Sequence, residues 1–415
     1  MHILLIHQFF LKDHEGGGAR WNEMTRAWIN SGHEVTVLAG NVHYMSDFKA
    51  GKKPWFEEYT SSGGAKVIRC LVSRNYHSGF LGRLWGYFSF VFSALFAGIF
   101  YVRGTCDVVI VTSPPLFVGL AGWFISFVKN IPFVFEVRDL WPESAVETGV
   151  LKNRILIKLS LWLEGFLYRN AELITVLTPA FKKHLIRFKQ ISSEKIIVIP
   201  NAADSRLADF VMGTINRSAF RKKLGWEGRF VLIYAGAHGV ANCLTQIVGA
   251  AVLLSDTNAH FVLIGDGPEK AELINMANAL ELSNLTFMNP IPKEEVLKYI
   301  WASDAGMSVL KKADIFKTIY SNKTFDYFSC KKPVMLAIDG ASRDLVEYAQ
   351  AGIYIEPENA LDFANKVRQY LNDPDLAIRH GENGHLFVRE HFDREKLAEE
   401  YLRQINAILL NTRSH

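Results

Sequence analysis

Short apolar runs alternate with longer amphipathic stretches from the first residues of the chain onward. Residues 2–8 (HILLIHQ), 34–40 (EVTVLAG), 65–72 (AKVIRCLV), 107–113 (DVVIVTS), 132–139 (PFVFEVRD), 173–178 (LITVLT) and 195–200 (KIIVIP) are too short for helices and end in polar or turn residues. Their apolarity is continuous rather than alternating, which predicts strands buried on both faces, as in parallel sheets. Helical segments lie between most of them, giving βαβ units. After the turn-rich PNAAD at 200–204 a second series begins: 229–236, 260–267, 284–289, 304–310, 333–338 and 352–356. The pattern predicts an α/β protein with two doubly wound parallel sheets. Its domains are expected at 1–200 and 201–390, with 391–415 a terminal helix crossing back to the first.

A length of 415 residues suits two such domains, and 49% hydrophobic with 21% charged residues excludes a disordered chain. Cys70, Cys106, Cys243 and Cys330 form neither a CxxC pair nor a Cys/His ligand cluster, so neither zinc nor a disulfide framework is expected. The opening MHILLIHQFF reads as a buried strand rather than a secretory leader, which implies the cytosolic side. The net charge of +4 hides an asymmetry: residues 1–200 hold 22 Lys and Arg against 15 Asp and Glu, the remainder 24 against 27. An excess so dispersed, without a basic helix or basic-aromatic alternation, excludes a nucleic-acid partner.

One segment changes the picture. LWGYFSFVFSALFAGIFYV, 84–102, has no charge and is flanked by Arg83 and Arg103. A crossing there would separate strands of one domain, because DVVIVTS follows at once. A helix partly in the core and partly in the lipid interface fits better, against a plain core helix. The expected location is therefore peripheral, on the cytosolic face of the inner membrane.

Three turns carry candidate chemistry. GGGAR at 16–20 precedes a helix expected near Ala19, where glycines let backbone N–H groups approach an anion. It is neither GxGxxG nor a Walker A loop, and alone it is a flexible loop. GDGPEK at 265–270 ends a strand and starts a helix, with Pro268 suited to the first helical position. Gly265 and Gly267 permit a turn whose backbone can meet a planar base, but alone this is an ordinary βα turn. In YSNKTFDYFSCKKPV, 320–334, Ser321 or Asn322 can cap a helix, with Lys323 in its first turn and Asp326 on the same face. An ammonium and the helix dipole suit a pyrophosphate, and a carboxylate suits a ribose diol. The same spacing is also that of a surface ion pair. DPD at 373–375 reads as a helix-start turn, so no catalytic metal is expected.

Taken together, GGGAR, YAGAHG (234–239), GDGPEK and SNKTFDYFSCKKPV resemble, in order and spacing, the family 4 retaining glycosyltransferases of GT-B architecture. FEVRDLWPES at 135–144, after VTSPP at 111–115, resembles the WbuB-like branch that builds O-antigen and capsule repeat units. The similarity runs to about residue 390. It implies Rossmann-like domains facing across a donor cleft, a UDP-sugar donor and an undecaprenyl-diphosphate-linked saccharide acceptor. It also implies transfer of a hexosyl or N-acetyl-deoxyhexosyl group, with no cofactor. Gly17 and Gly18 would lie near the donor phosphates, and Gly265, Asp266, Gly267 and Pro268 near the base. Lys323 would neutralise pyrophosphate, aided by Arg20, and Asp326 would bind ribose. The family's Glu-x7-Glu pair reads Thr318 and Asp326 here. The loop where relatives carry Arg and Lys offers His238 and Asn242. Arg138 would hold an acceptor phosphate, and Asp139 and Glu143 acceptor hydroxyls, although Glu143 is equally a plain carboxylate at a helix start. Two rivals share the plan: a UDP-sugar epimerase, and a non-catalytic nucleotide-sugar-binding partner.

Overall fold

The computed structural model describes residues 1–13, 15, 20–41, 54–73, 79–147 and 149–413. It divides into two units, Met1–Pro200 with Glu395–His415, and Asn201–Arg394. The first unit holds β1 (His2–Ile6), β2 (Glu34–Gly40), β3 (Phe56–Thr60), β4 (Lys66–Cys70), β5 (Val108–Ser113), β6 (Phe133–Val137), β7 (Leu173–Val176) and β8 (Ile196–Val198). They form one sheet in the order β3-β4-β2-β1-β5-β6-β7-β8. The second unit holds β9 (Phe230–Ala235), β10 (Ala259–Ile264), β11 (Leu285–Met288), β12 (Ala305–Val309), β13 (Val334–Ala337) and β14 (Gly352–Tyr354), ordered β11-β10-β9-β12-β13-β14. The strands read from continuous apolar runs all pair in parallel, as β9 does with β10 (Ile233 opposite Val262). The sheet order makes both units doubly wound α/β domains, as the periodicity requires.

β3 was not foreseen. FEEYT lies at the sheet edge and leaves Glu57, Glu58 and Thr60 exposed, so it lacks the doubly buried signature of its neighbours. It runs antiparallel to β4.

Burial explains why the central strands are so apolar. Ile3, Leu4, Leu5 and Ile6 of β1, and Val231, Leu232, Ile233 and Tyr234 of β9, are closed to solvent. Each such side chain contributes about 1.5–3 kcal/mol of transfer free energy. The terminal helix Arg394–Arg413 belongs from Glu395 onward to the first unit. There Tyr401 lies edge-on to Trp28 at 5.5 Å, and Trp28 Nε1 donates to the Ala398 carbonyl at 3.0 Å.

The apolar segment is a helix, Gly79–Phe96, extended by a π-helical turn, Ala97–Tyr101. Only 39% of its most apolar stretch is buried within the unit. Phe90, Val91, Ala94 and Ala97 face the core, while Phe92 is 64% and Phe100 70% exposed. This helix packs on Val118–Lys129, which packs on Arg154–Asn170. Those helices add exposed Phe127, Ile155, Leu159 and Trp162. Rings stitch them together, with Phe88 against Phe117 at 4.8 Å and Trp123 against Phe166 at 4.9 Å. The three helices contain one carboxylate, Glu164, and it is buried.

Candidate active site

In the second unit the chain order reverses between β9 and β12, so the crevice beyond their carboxyl ends is where an open α/β sheet binds ligands. Three sequence motifs meet there. The loop after β9 and the GDGPEK turn after β10 are zipped together. Gly236 N–H donates to the Ile264 carbonyl at 2.9 Å, His238 N–H to Asp266 at 2.8 Å, and Glu269 N–H to His238 at 3.0 Å. This zipper explains both glycines. A Cβ on Gly265 would strike the Gly236 carbonyl, and one on Gly267 would stand 2.9 Å from His238 N. The sequence suggested that these glycines admit a base; the structure uses them to admit a neighbouring loop.

One further expectation for this turn is corrected. Pro268 is not the first helical residue, since the helix starts at Lys270 after a turn. Lys270 closes that turn, its ammonium donating to the carbonyls of Gly265 (2.9 Å) and Met288 (3.1 Å) and to Asn289 Oδ1 (2.9 Å). Its peptide geometry also sets the fate of His238. With the backbone pinned, the ring lies 6.1 Å from that of Tyr234 and 6.2 Å from that of Phe287. It is fully buried, and neither nitrogen has a hydrogen-bond partner among the described residues. Burial, with Lys270 nearby, pushes its pKa down to about 4, so it is neutral. The expected donor contact from the His238 side chain is therefore not made in this conformation. Asn242 closes the 3-10 turn Val240–Asn242, and its N–H donates to Gly239 at 2.8 Å.

Lys323 lies in the first turn of the helix Asn322–Ser329. Its ammonium rests 4.9 Å from the centre of the Tyr234 ring, whose hydroxyl donates to the Ala237 carbonyl at 2.8 Å. No hydrogen bond or ion pair holds that ammonium among the described residues. Burial lowers its pKa from 10.5 to about 8, against the opposing charge of Asp326. Gly236 makes the approach possible, because a Cβ there would stand 2.5 Å from Lys323 Cε and 3.1 Å from Nζ. Asp326 shares the helix face, but its carboxylate is 3.4 Å from Lys293 Nζ. Ser321 occupies the N-cap position without capping, since its hydroxyl accepts from Ser308 at 2.6 Å. Asn322, exposed, is the first helical residue.

The residues expected in the first unit fare differently. Gly17 and Gly18 lie outside the described residues, and the helix after them begins at Arg20. Arg20 is turned to protein partners. It is buried, with Nη2 3.0 Å from Glu136 Oε2 and Nε 3.2 Å from Oε1, and it also donates to the carbonyls of Pro200 (2.6 Å) and Ile199 (2.8 Å). A charge in a strand core persists only when paired in this way. Arg138, at the carboxyl end of β6, approaches the same carboxylate at 3.9 Å. Asp139 accepts from Ser144 Oγ at 2.8 Å, and burial raises its pKa. Glu143 opens the short helix Glu143–Glu147 and pairs with Lys189, which also holds Glu164 at 2.6 Å. Burial pushes Glu164 up to about 7. Sequence reading missed this network, because Glu164 and Lys189 come from separate helices with no shared motif.

Among the described residues no three of His, Cys, Asp and Glu gather as a metal ligand set. Asp373 of DPD caps its helix, accepting from Leu376 N–H at 3.0 Å.

Two family models tile the chain, "Glycosyl transferase 4-like domain" over residues 15–202 and "Glycosyl transferases group 1" over 216–387. A protein assigned to colanic acid biosynthesis in Escherichia coli K12, the glycosyl transferase WcaI, is 22% identical over 98% of this chain and 100% of its own. Sucrose-phosphate synthase from Thermosynechococcus elongatus superposes with a TM-score of 0.75 at 17% identity, covering 99% of each chain. Anabaena HepE in complex with UDP-glucose superposes with a TM-score of 0.71 at 17% identity, covering 98% of this chain and 100% of that one. With both halves matched and both sheets in place, the chain belongs to the family 4 glycosyltransferases of GT-B fold.

Proposed function

We propose that the chain moves a hexosyl or N-acetyl-deoxyhexosyl group from a UDP-sugar to an undecaprenyl-diphosphate-linked saccharide, with retention and without a metal. The setting is O-antigen or capsule assembly on the cytosolic face of the inner membrane, in the WbuB-like branch. The observation that carries the donor assignment is the unpaired Lys323 ammonium at a helix start beyond the carboxyl ends of β9 and β12. A diphosphate there gains a cation and a helix dipole together. In the transfer, the bond from the sugar's anomeric carbon to the β-phosphate oxygen breaks and the acceptor oxygen takes its place on the same face. The acceptor proton passes to the departing diphosphate. Charge grows on that diphosphate as the bond breaks, so Lys323 stabilises the transition state more than the ground state.

HepE's complex with UDP-glucose and WcaI's place in polysaccharide synthesis support the donor and the pathway class. The aromatic outer face of the first unit supports a lipid-borne acceptor. It exposes no carboxylate on its three helices, and Arg103, Lys152, Arg154 and Lys158 stand exposed around it, suited to anionic headgroups.

The test is turnover of a UDP-sugar panel with a polyprenyl-diphosphate saccharide, followed by mass spectrometry and anomeric NMR. Glycosylated lipid, one UDP per transfer and an unchanged anomeric configuration are expected. An epimerised nucleotide without acceptor, or tight binding with no product, overturns the reading.

A further inference from the structure

The diphosphate of a nucleotide sugar carries about two negative charges, and UDP as leaving group about three. One ammonium of depressed pKa leaves most of that unbalanced. The loop after β9, Gly236–Leu244, contains no lysine or arginine, and Arg20 is sequestered on Glu136. Other lysines at this edge of the sheet are occupied. Lys270 holds three oxygens of the GDGPEK turn, and Lys293 faces Asp326. Lys312 is bound to Glu356 at 2.6 Å, and Lys317 to Asp314 at 2.7 Å.

Lys311 differs. It lies two residues beyond the end of β12, the strand beside β9, and its backbone N–H donates to the Ala241 carbonyl at 2.8 Å. That bond places it against the Val240–Asn242 turn of the loop that lacks a cation. Its side chain is exposed, with no hydrogen bond or ion pair among the described residues. The backbone is thus anchored at the ligand end of the sheet while a flexible four-carbon stem carries a free charge.

We propose that Lys311 is the second cation for the donor diphosphate, delivered from β12 to the β9 loop in place of a charge on Asn242. The inference rests on the diphosphate reading of the Lys323 site. Lys323 is fixed beside Tyr234 before ligand arrives, whereas Lys311 closes on the phosphates after it.

The experiment measures binding of UDP, UMP and uridine to the full chain by calorimetry, for wild type, Lys311→Met, Lys311→Arg and Lys312→Met. Lys311→Met is expected to weaken UDP about tenfold, as for a charge contact at the rim of a site, with little change for uridine. Lys311→Arg should restore most of the loss, and the KM for the UDP-sugar should follow the same order. Because the Lys311 side chain is exposed, circular dichroism and melting should match wild type. If wild type binds UDP and Lys311→Met binds it equally, the inference fails alone. An equal loss in Lys312→Met would mean a diffuse field rather than a contact, and overturns it too. A wild type that ignores UDP overturns the diphosphate reading and this inference together.

Discussion

UDP affinity should fall with rising pH, and Lys323 should be the reason. Its ammonium sits over the Tyr234 ring with no ion pair among the described residues, and burial lowers its pKa to about 8. At pH 7 about nine tenths of such a group is charged, and at pH 9 about one tenth. A bound diphosphate favours the charged form, so binding above pH 8 draws a proton from solvent. If only the charged form binds tightly, affinity drops about tenfold between pH 7 and 9, or about 1.4 kcal/mol. The other groups at the site titrate outside that window. The terminal phosphate of UDP has a second pKa of about 6, His238 titrates near 4, and burial holds Tyr234 well above its ordinary value. Calorimetry in two buffers of different ionisation enthalpy reads affinity and proton uptake together, with uridine as the flat control. Lys323→Met should abolish the pH dependence and cost about 2–5 kcal/mol in kcat/KM at pH 7. The stability sign is the opposite of a salt bridge. Between pH 8 and 10.5 the unfolded chain holds this proton more tightly than the folded one, so the ligand-free protein gains stability as pH rises through that window. Lys323→Met should lose that gain and melt higher at neutral pH. A UDP affinity flat from pH 7 to 9, or equal pH slopes in wild type and variant, refutes the argument.

Three further outcomes follow from the geometry. Gly236→Ala should push the Lys323 ammonium aside and weaken UDP severalfold, and because the backbone there sits at φ 158°, which an L side chain rarely adopts, it should also lower the melting temperature; an unchanged UDP affinity would count against the Tyr234–Lys323 arrangement. Arg20→Met leaves the Glu136 carboxylate buried with its main partner removed and should destabilise the fold by about 3–5 kcal/mol, while UDP binding by the folded fraction stays as in wild type. A direct loss of UDP affinity there would restore Arg20 to the donor site. Phe92→Ser with Phe100→Glu should release the protein from anionic vesicles without lowering its melting temperature and should reduce activity on the polyprenyl acceptor but not on a short water-soluble one; vesicle binding that survives both changes places the contact elsewhere.

The strands were legible because a residue buried on both faces has one chemistry available to it, so HILLI, VVIVTS and FVLIYA announce themselves. FEEYT did not, since an edge strand with one wet face looks like any polar loop. Lys323 was legible for a similar reason: a lysine one residue inside a helix that follows a strand has few places to point. The uses of the neighbouring glycines and of His238 were not. Gly265 and Gly267 are demanded by the backbone of residues 236–238, some thirty positions earlier, and no local pattern records that contact. Arg20 misled for the same cause, because the carboxylate that captures it lies 116 residues away on β6.

That difference bears on where the chemistry of this site resides. Ion pairs such as Lys293 with Asp326 and Lys189 with Glu143 tie charged groups to protein partners, and a charge so tied adds little field at a ligand. The groups left unpaired are few and uneven in cost. A half-buried ammonium on an aromatic ring is held against its own desolvation, and a buried imidazole with two idle nitrogens loses hydrogen bonds that water would have supplied. The imidazole belongs to the zippered pair of loops, and the ammonium reaches Tyr234 beside them from the helix Asn322–Ser329. A fold kept only for stability would favour an uncharged side chain at Lys323, since the desolvation of its charge outweighs the attraction of Asp326. An anionic ligand does gain from it, and that asymmetry between what folding needs and what the sequence retains is the strongest physical argument for a diphosphate at this position.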